Sequence, residues 1–179
     1  DIQCRNTKWQ TSGELICKGV DVQYEKFPYP VEQLVGRIKL QDDFLTTEDL
    51  SGRVAGNRLS CMFRMPLRPE QTPEKWFAVA TDGPIPIDRS LLRALSPRGS
   101  SAAGGMESFV RSLNPSGSVR LNSATFSTDA NNVKSREVDL QVIDGRITYD
   151  KFAYPLYNVT GTVKVIDDTV HMEGFRATN

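Results

Sequence analysis

The chain has 179 residues, 39% of them hydrophobic, and its 22 Lys and Arg balance its 22 Asp and Glu to a formal net charge of zero. That length suffices for one ordinary domain with a core of its own, and the charge balance excludes bulk attraction to nucleic acid or to an anionic surface. No run approaches the length needed to cross a bilayer, the first residues do not read as a signal peptide, and the three cysteines lack metal-ligand spacing.

In chain order, Cys4 and Cys17 flank a turn-rich TKWQTSGE, which leaves two readings: a disulfide across a hairpin, or, as for Cys61, buried thiols on strands. Apolar and polar residues then alternate with the period of half-buried strands. Leu34, Gly36, Ile38 and Leu40 share one face, opposite Val35, Arg37, Lys39 and Gln41; Leu59, Cys61, Phe63 and Met65 repeat the pattern. Turn signals stand at Gly13, Asp42-Asp43 and Gly56-Asn57. After GPIPI the pattern breaks. Asp88 predicts the N-cap of a short helix through Leu95, ended by Pro97. Beyond a Gly/Ser/Ala linker, Met106, Phe109, Val110 and Leu113 recur at i, i+3, i+4, i+7, which predicts a second helix stopped by Asn114-Pro115. Strands resume near Ser118, with Val138, Leu140 and Val142, then Val159, Gly161, Val163 and Val165, and turn signals at Asp144-Gly145 and Asp167-Asp168. These signals predict a mainly β chain of antiparallel hairpins, apolar on one face and wet on the other, with a short two-helix insert. The expected sections are a first β repeat over 1–84, the insert with its linker over 85–117, and a second β repeat over 118–179.

The two β sections spell one segment twice. YEKFPYPVEQLVGRIKLQDD from Tyr24 and YDKFAYPLYNVTGTVKVIDD from Tyr149 align without a gap, 125 positions apart. Tyr24, Lys26, Phe27, Tyr29, Pro30, Gly36, Lys39, Asp42, Asp43 and Glu48 match Tyr149, Lys151, Phe152, Tyr154, Pro155, Gly161, Lys164, Asp167, Asp168 and Glu173. Each copy reads strand, aromatic-Pro connection, strand, acidic turn, strand. Proline fixes φ and lacks an amide hydrogen, so Pro30 and Pro155 are expected to end one strand and set the connection. A glycine inside a strand, as at Gly36 and Gly161, predicts a bulge or a group packed close above it. The Asp pairs suit tight turns. The chain starts at Asp1 and its second copy stops at Asn179, so the expectation is a section of a longer chain.

None of the shared residues is a nucleophile with its base. The lone histidine, His171, has Thr46 as its counterpart, and the chain carries no G-x-S-x-G elbow. The glycines of GSSAAG have P-loop spacing, but Gly105-Met106 stands where Lys and Ser/Thr are required. The acidic turns offer oxygen ligands without a regular calcium-binding loop, and Asn158-Val159-Thr160 fits a glycosylation sequon. The expectation is therefore no enzyme, no metal and no cofactor.

The phrase KFPYP-x4-L-x-G-R-I, repeated as KFAYP-x4-V-x-G-T-V, resembles AsmA-like proteins of bacterial envelopes, in particular their very large planctomycete-type forms. The segment PIPIDRSLLRAL…FVRSLNPSGSVRL is similar to theirs as well, and the resemblance runs from about Leu15 to the end. Those proteins are relatives of the bridge-like lipid-transfer proteins. The resemblance implies an elongated, curved sheet whose apolar face forms a repeating groove for phospholipid or another acyl lipid. It further implies a periplasmic location with an inner-membrane anchor elsewhere in the full-length protein, adjoining repeats of the same chain as partners, and no nucleic acid. The groove lining expected from the inward set is Leu34, Ile38, Leu40, Leu59, Phe63, Val159, Val163 and Val165. Tyr24, Phe27, Tyr29, Pro30 and Gly36, with Tyr149, Phe152, Tyr154, Pro155 and Gly161, are expected to be structural. The alternative is a structural or adhesive β module whose sheet closes into a sandwich and binds protein partners at its loops.

Overall fold

A computed structural model of the chain describes residues 2–5, 8–24, 27–70, 72–95, 112–149, 151, 154–167 and 169–179. The strands are β1 (Ile2–Arg5), β2 (Lys8–Thr11), β3 (Gly13–Tyr24), β4 (Phe27–Gln41), β5 (Phe44–Val54), β6 (Asn57–Pro66), β7 (Lys75–Thr81), β8 (Ile85–Pro86), β9 (Ser116–Thr128), β10 (Lys134–Ile147), β11 (Leu156–Ile166) and β12 (Thr169–Thr178). Among the described residues one helix, α1 (Arg89–Leu95), falls between β8 and β9.

Among the described residues β1 and β2 pair only with each other, while the other ten strands form one sheet in the order β12-β11-β10-β9-β7-β6-β5-β4-β3, with β8 also paired to β9. Every pairing is antiparallel. Neighbours in the sheet are neighbours in the chain except where the insert intervenes, so short turns suffice to build it. At about 4.8 Å between strands, the nine strands of the path extend on the order of 40 Å.

The long strands are irregular in a shared way. Pairing registers shift at Lys18/Val20 in β3, Glu32/Val35 in β4, Thr47/Leu50 in β5, Val142/Gly145 in β10 and Tyr157/Thr160 in β11. Each shift absorbs an extra residue as a bulge. The inward residues on either side of it are then three apart instead of two: Val31 and Leu34, Thr47 and Leu50, Leu156 and Val159. A bulge thus keeps the apolar side chains on one face where strict alternation would have turned them outward.

The two spelled-alike segments pair alike. Leu15 lies opposite Ile38, Cys17 opposite Gly36, Val20 opposite Leu34 and Val22 opposite Val31. In the second segment Leu140 lies opposite Val163, Val142 opposite Gly161, Gly145 opposite Val159 and Ile147 opposite Leu156, each pair displaced by the same 125 positions. Backbone conformation follows: Gln33 and Asn158 have φ of 52° and 50°, Gly36 and Gly161 131° and 154°, Asp42 and Asp167 50° and 51°.

Three expectations need correction. Among the described residues the insert holds one helix rather than two; Met106, Phe109 and Val110 lie outside them. Asp144-Gly145 is no turn but the bulge inside β10, where Gly145 packs against Val142 and Val159. Pro30 does not end a strand. It sits within β4 opposite Gln23, beyond the last β5 pairing at Glu32, where a missing amide hydrogen breaks no second ladder. Of the two readings for the cysteines, the buried thiol on a strand holds for Cys17 on β3 and Cys61 on β6, while Cys4 lies opposite Trp9 in the β1–β2 hairpin.

The helix begins as its sequence requires. The Asp88 carboxylate accepts the Leu91 N–H at 2.7 Å, which satisfies an otherwise orphaned donor, and the Asp88 carbonyl accepts that of Leu92 at 3.0 Å as the first bond of the helix. α1 packs on β4, and Leu91 joins Tyr29, Leu34, Val54, Leu59 and Ile85 in the core. No helix of the described residues is long and apolar enough to cross a membrane.

Candidate functional site

All eight residues expected to line a groove lie on the same face of the sheet, and four of them, Leu59, Phe63, Val163 and Val165, fall in three rows that run across the strands. The central row passes from Leu50 through Cys61, Val79, Ala124, Val138 and Val165 to Val170, each residue directly opposite the next on the neighbouring strand. On the far side of Leu50 it continues to Gly36 and Cys17, because Gly36 lets the β5 backbone approach to within van der Waals distance.

A second row carries aromatics: Thr47, Phe63, Phe77 and Phe126 stand opposite one another on β5, β6, β7 and β9. Three phenyl rings at successive non-local pairings make a ladder of the kind that stabilises sheets. The third row runs Leu59, Thr81, then Leu121, Leu140, Val163 and Met172. Between Thr81 and Leu121 the β7–β9 ladder has stopped. There the Thr81 hydroxyl accepts the Leu121 N–H at 3.1 Å, so a side chain replaces the missing backbone partner. The Thr47 hydroxyl donates to the Arg37 carbonyl at 2.6 Å, which similarly satisfies a polar group on an apolar face.

Burial divides the face. Leu34, Leu59 and Val159 are buried in the core, Leu34 and Leu59 in the cluster that α1 and β8 help to close. Ile38, Leu40, Phe63, Val163 and Val165 are half-buried, as are Phe77, Phe126, Leu140 and Val142 beside them. Phe77 and Phe126 escaped the sequence reading. KWFAVAT does alternate, but the bulge in the β9–β10 pairing puts Leu121 and Ala124 three apart, which hides Phe126 from any test of period two.

The opposite face is mixed. Arg37 and Glu14 approach to 3.8 Å and Lys164 and Glu173 to 3.3 Å, both pairs well exposed and so of small energetic weight. Ile16, Val35, Met62 and Ile166 are exposed there too.

The motif residues have unequal surroundings. Gly36 and Gly161 are both crowded from above, by the backbone of Asp49 and Leu50 in one case and by the Phe175 ring in the other. Tyr29 is 6% exposed while its counterpart Tyr154 is 60% exposed. Burial, with the Asp88 carboxylate nearby, pushes the Tyr29 hydroxyl above its usual pKa of 10.0. Tyr149 is half-buried, Pro155 immediately precedes β11, and Tyr24 and Phe27 close the β3–β4 hairpin as a register pair. Phe152 lies outside the described residues.

Among the described residues, the candidates for chemistry lie apart. His171 is exposed on β12 opposite Lys164. Cys61 is buried in the central row, and burial drives its thiol from 9.0 up to about 12, the reverse of what a nucleophile needs. Among the described residues no three His, Cys, Asp or Glu gather in a metal-binding arrangement. The acidic turns have backbone partners instead: the Asp167 carboxylate accepts the Arg136 N–H at 2.9 Å, and the Asp43 carbonyl accepts that of Leu67 at 2.8 Å.

No protein-family model, curated protein or solved structure matches this chain.

Proposed function

We propose that this chain is a non-enzymatic section of an AsmA-like lipid-binding or lipid-transfer protein, in which the apolar sheet face holds acyl chains while headgroups stay in water. One observation carries the reading. Half-buried apolar side chains continue from strand to strand, from Ile38 on β4 through Phe63, Phe77 and Phe126 to Leu140, Val163 and Val165, and the only other sheet among the described residues is the two-stranded β1–β2 hairpin. A run of this kind favours a long flexible apolar ligand over a compact one. Burying a methylene is worth about 0.8 kcal/mol, so a chain that rests on few side chains at a time is held without being trapped. Bulges increase local twist and bend strands, and their recurrence in both copies supports the curved, repeating groove of the family. In this reading the full-length protein works in the bacterial envelope on the periplasmic side, anchored in the inner membrane through parts outside these residues. Phospholipid passes along adjoining repeats.

The test is native mass spectrometry of the purified chain with lipid identification in a solvent extract, repeated on Val163→Asp. The expected result is bound phospholipid that the substitution removes while circular dichroism stays native, because a half-buried aspartate at an open face remains hydrated. An apo mass even after incubation with phospholipid vesicles would end the lipid reading. Unfolding of Val163→Asp would instead indicate a closed core, as in a structural β module that binds protein partners.

A further inference from the structure

The aromatic row does not end at Phe126. Its next partner, on β10, is Arg136, and one step further toward the β9–β10 turn comes a row of different character. There Lys75 on β7, Thr128 on β9 and Lys134 on β10 stand directly opposite one another. Each lies two residues from Phe77, Phe126 or Arg136 with no register shift between, so all three share the apolar face. On β5 and β6 the same step leads to Leu45 and Met65, which are apolar. The face therefore ends in a cationic strip over β7, β9 and β10. Thr128 is only 6% exposed, while Lys75 is half-buried and Lys134 exposed, the pattern of long stems that cover a neighbour and keep their ammonium groups wet. Among the described residues neither Lys75 nor Lys134 has a carboxylate within ion-pair distance. The carboxylates of the two turns that flank the strip are turned to backbone: Asp129 accepts the N–H groups of Asn131 and Val133 at 2.9 and 2.8 Å, and Asp167 accepts that of Arg136 at 2.9 Å.

We infer that Lys75 and Lys134 form a headgroup rim that selects acyl lipids of net negative charge, the lipid phosphate lying between the two ammonium groups. The lysines stand on the two strands that flank β9, so their backbones are about 10 Å apart and two flexible four-carbon stems can close on one phosphate from either side. Hydrogen bonds from ammonium groups to phosphate oxygens are charge-assisted and stronger than neutral ones. Arg136 donates to the Asp167 carbonyl at 2.6 Å, which fixes its guanidinium beside the same rim. A zwitterionic headgroup brings its own cation to this strip and forfeits part of the attraction; a net-anionic headgroup does not. The acyl chains then lie inward, on Phe77, Phe126, Val79 and Val138, so the lipid is oriented as well as held. Because the chain as a whole is neutral, the attraction is local to these rows. The inference rests on the lipid reading above and adds to it the headgroup class and the residues that choose it.

The test incubates the purified chain with vesicles of equal parts phosphatidylglycerol and phosphatidylcholine carrying identical acyl chains, then identifies the retained lipids by mass spectrometry. The expected result at low salt is a preference of about fivefold for phosphatidylglycerol. It should weaken as salt is raised, because exposed charges are screened. In the double variant Lys75→Gln/Lys134→Gln the preference should fall to parity while the total lipid retained stays the same, since the apolar rows are untouched. Lys75→Arg/Lys134→Arg, which keeps both charges, should retain it. Lys18→Gln/Lys39→Gln removes the same charge from exposed positions on the opposite face and should leave the preference intact. Equal retention of the two lipids by the parent chain would overturn headgroup selection and leave the lipid reading standing. So would a preference that survives in the glutamine rim variant, or one that falls equally in the opposite-face pair. Retention of neither lipid would overturn both.

Discussion

A Cβ built on Gly161 of β11 would stand 2.5 Å from Cδ2 of Phe175 on β12, so the ring occupies the space that any other residue would need. At the matched Gly36 the obstacle is backbone, with the Asp49 carbonyl oxygen at 2.7 Å and the Leu50 Cα at 2.9 Å. Both glycines also hold φ values that L residues avoid, 131° and 154°. The two substitutions should therefore differ in degree. Gly36→Ala is expected to cost about 2 kcal/mol or more, since a neighbouring strand must shift. Gly161→Ala should cost about half as much, because a ring can rotate away, and Phe175→Leu should recover part of the loss. Urea melts of the three variants decide this; equal losses at the two glycines would contradict the close approach of β5.

The Thr81 hydroxyl closes the gap between β7 and β9, so Thr81→Val removes the acceptor and strands the Leu121 N–H. The expected loss is about 1–3 kcal/mol, the cost of a buried unsatisfied donor, while Thr81→Ser should stay within about 1 kcal/mol of the parent. Amide exchange at Leu121 should accelerate in the valine variant alone.

Asp88 has two separable effects. Asp88→Asn keeps a carbonyl to cap the Leu91 N–H but removes the charge, so the Tyr29 pKa should move part of the way back toward 10.0 while the burial contribution remains. Asp88→Ala should show the same pKa change and, in addition, cost about 1 kcal/mol from the lost cap. Ultraviolet titration of tyrosinate, with Tyr29→Phe as the reference, separates the two.

Alkaline stability should report on Cys61. Its folded pKa of about 12 lies above the unfolded value of 9.0, so the unfolded chain loses this proton first. Its contribution is fully present below pH 9 and falls as pH rises toward 12, by about 1.4 kcal/mol per pH unit. Tyr29, raised from 10.0, acts in the same direction at higher pH. The stability advantage of the parent over Cys61→Ala should shrink steadily from pH 9 to 11 in guanidinium melts. A constant difference would place the thiol in contact with water.

Much of this architecture is legible in the residues themselves. Period-two alternation identifies the inward face of β4, β6, β10 and β11, Asp88 marks the helix start, and the ungapped spelling sets glycine at matched positions of β4 and β11. These signals are local: they depend on φ/ψ preferences and on which face of one strand is apolar. The stretch expected to form a second helix lies mostly outside the described residues, and DG at Asp144-Gly145 misleads because the same dipeptide serves a hairpin turn and a bulge.

By itself, then, the sequence determined the strand class, the inward faces, the helix cap and the repeat, because each rests on contacts within a few residues. Only the tertiary structure decided which strands are neighbours. The Phe63–Phe77–Phe126 ladder depends on β7 meeting β9 across the insert, and periodicity says which way a side chain points but not what stands opposite it. The same holds for burial. Leu34, Leu59 and Val159 carry the same pattern as Ile38, Phe63 and Val163, yet the first three are core and the others half-exposed to whatever the face receives. Placement of α1 on β4 closes one end of that face, and the unequal fates of Tyr29 and Tyr154 arise from packing that no local spelling encodes.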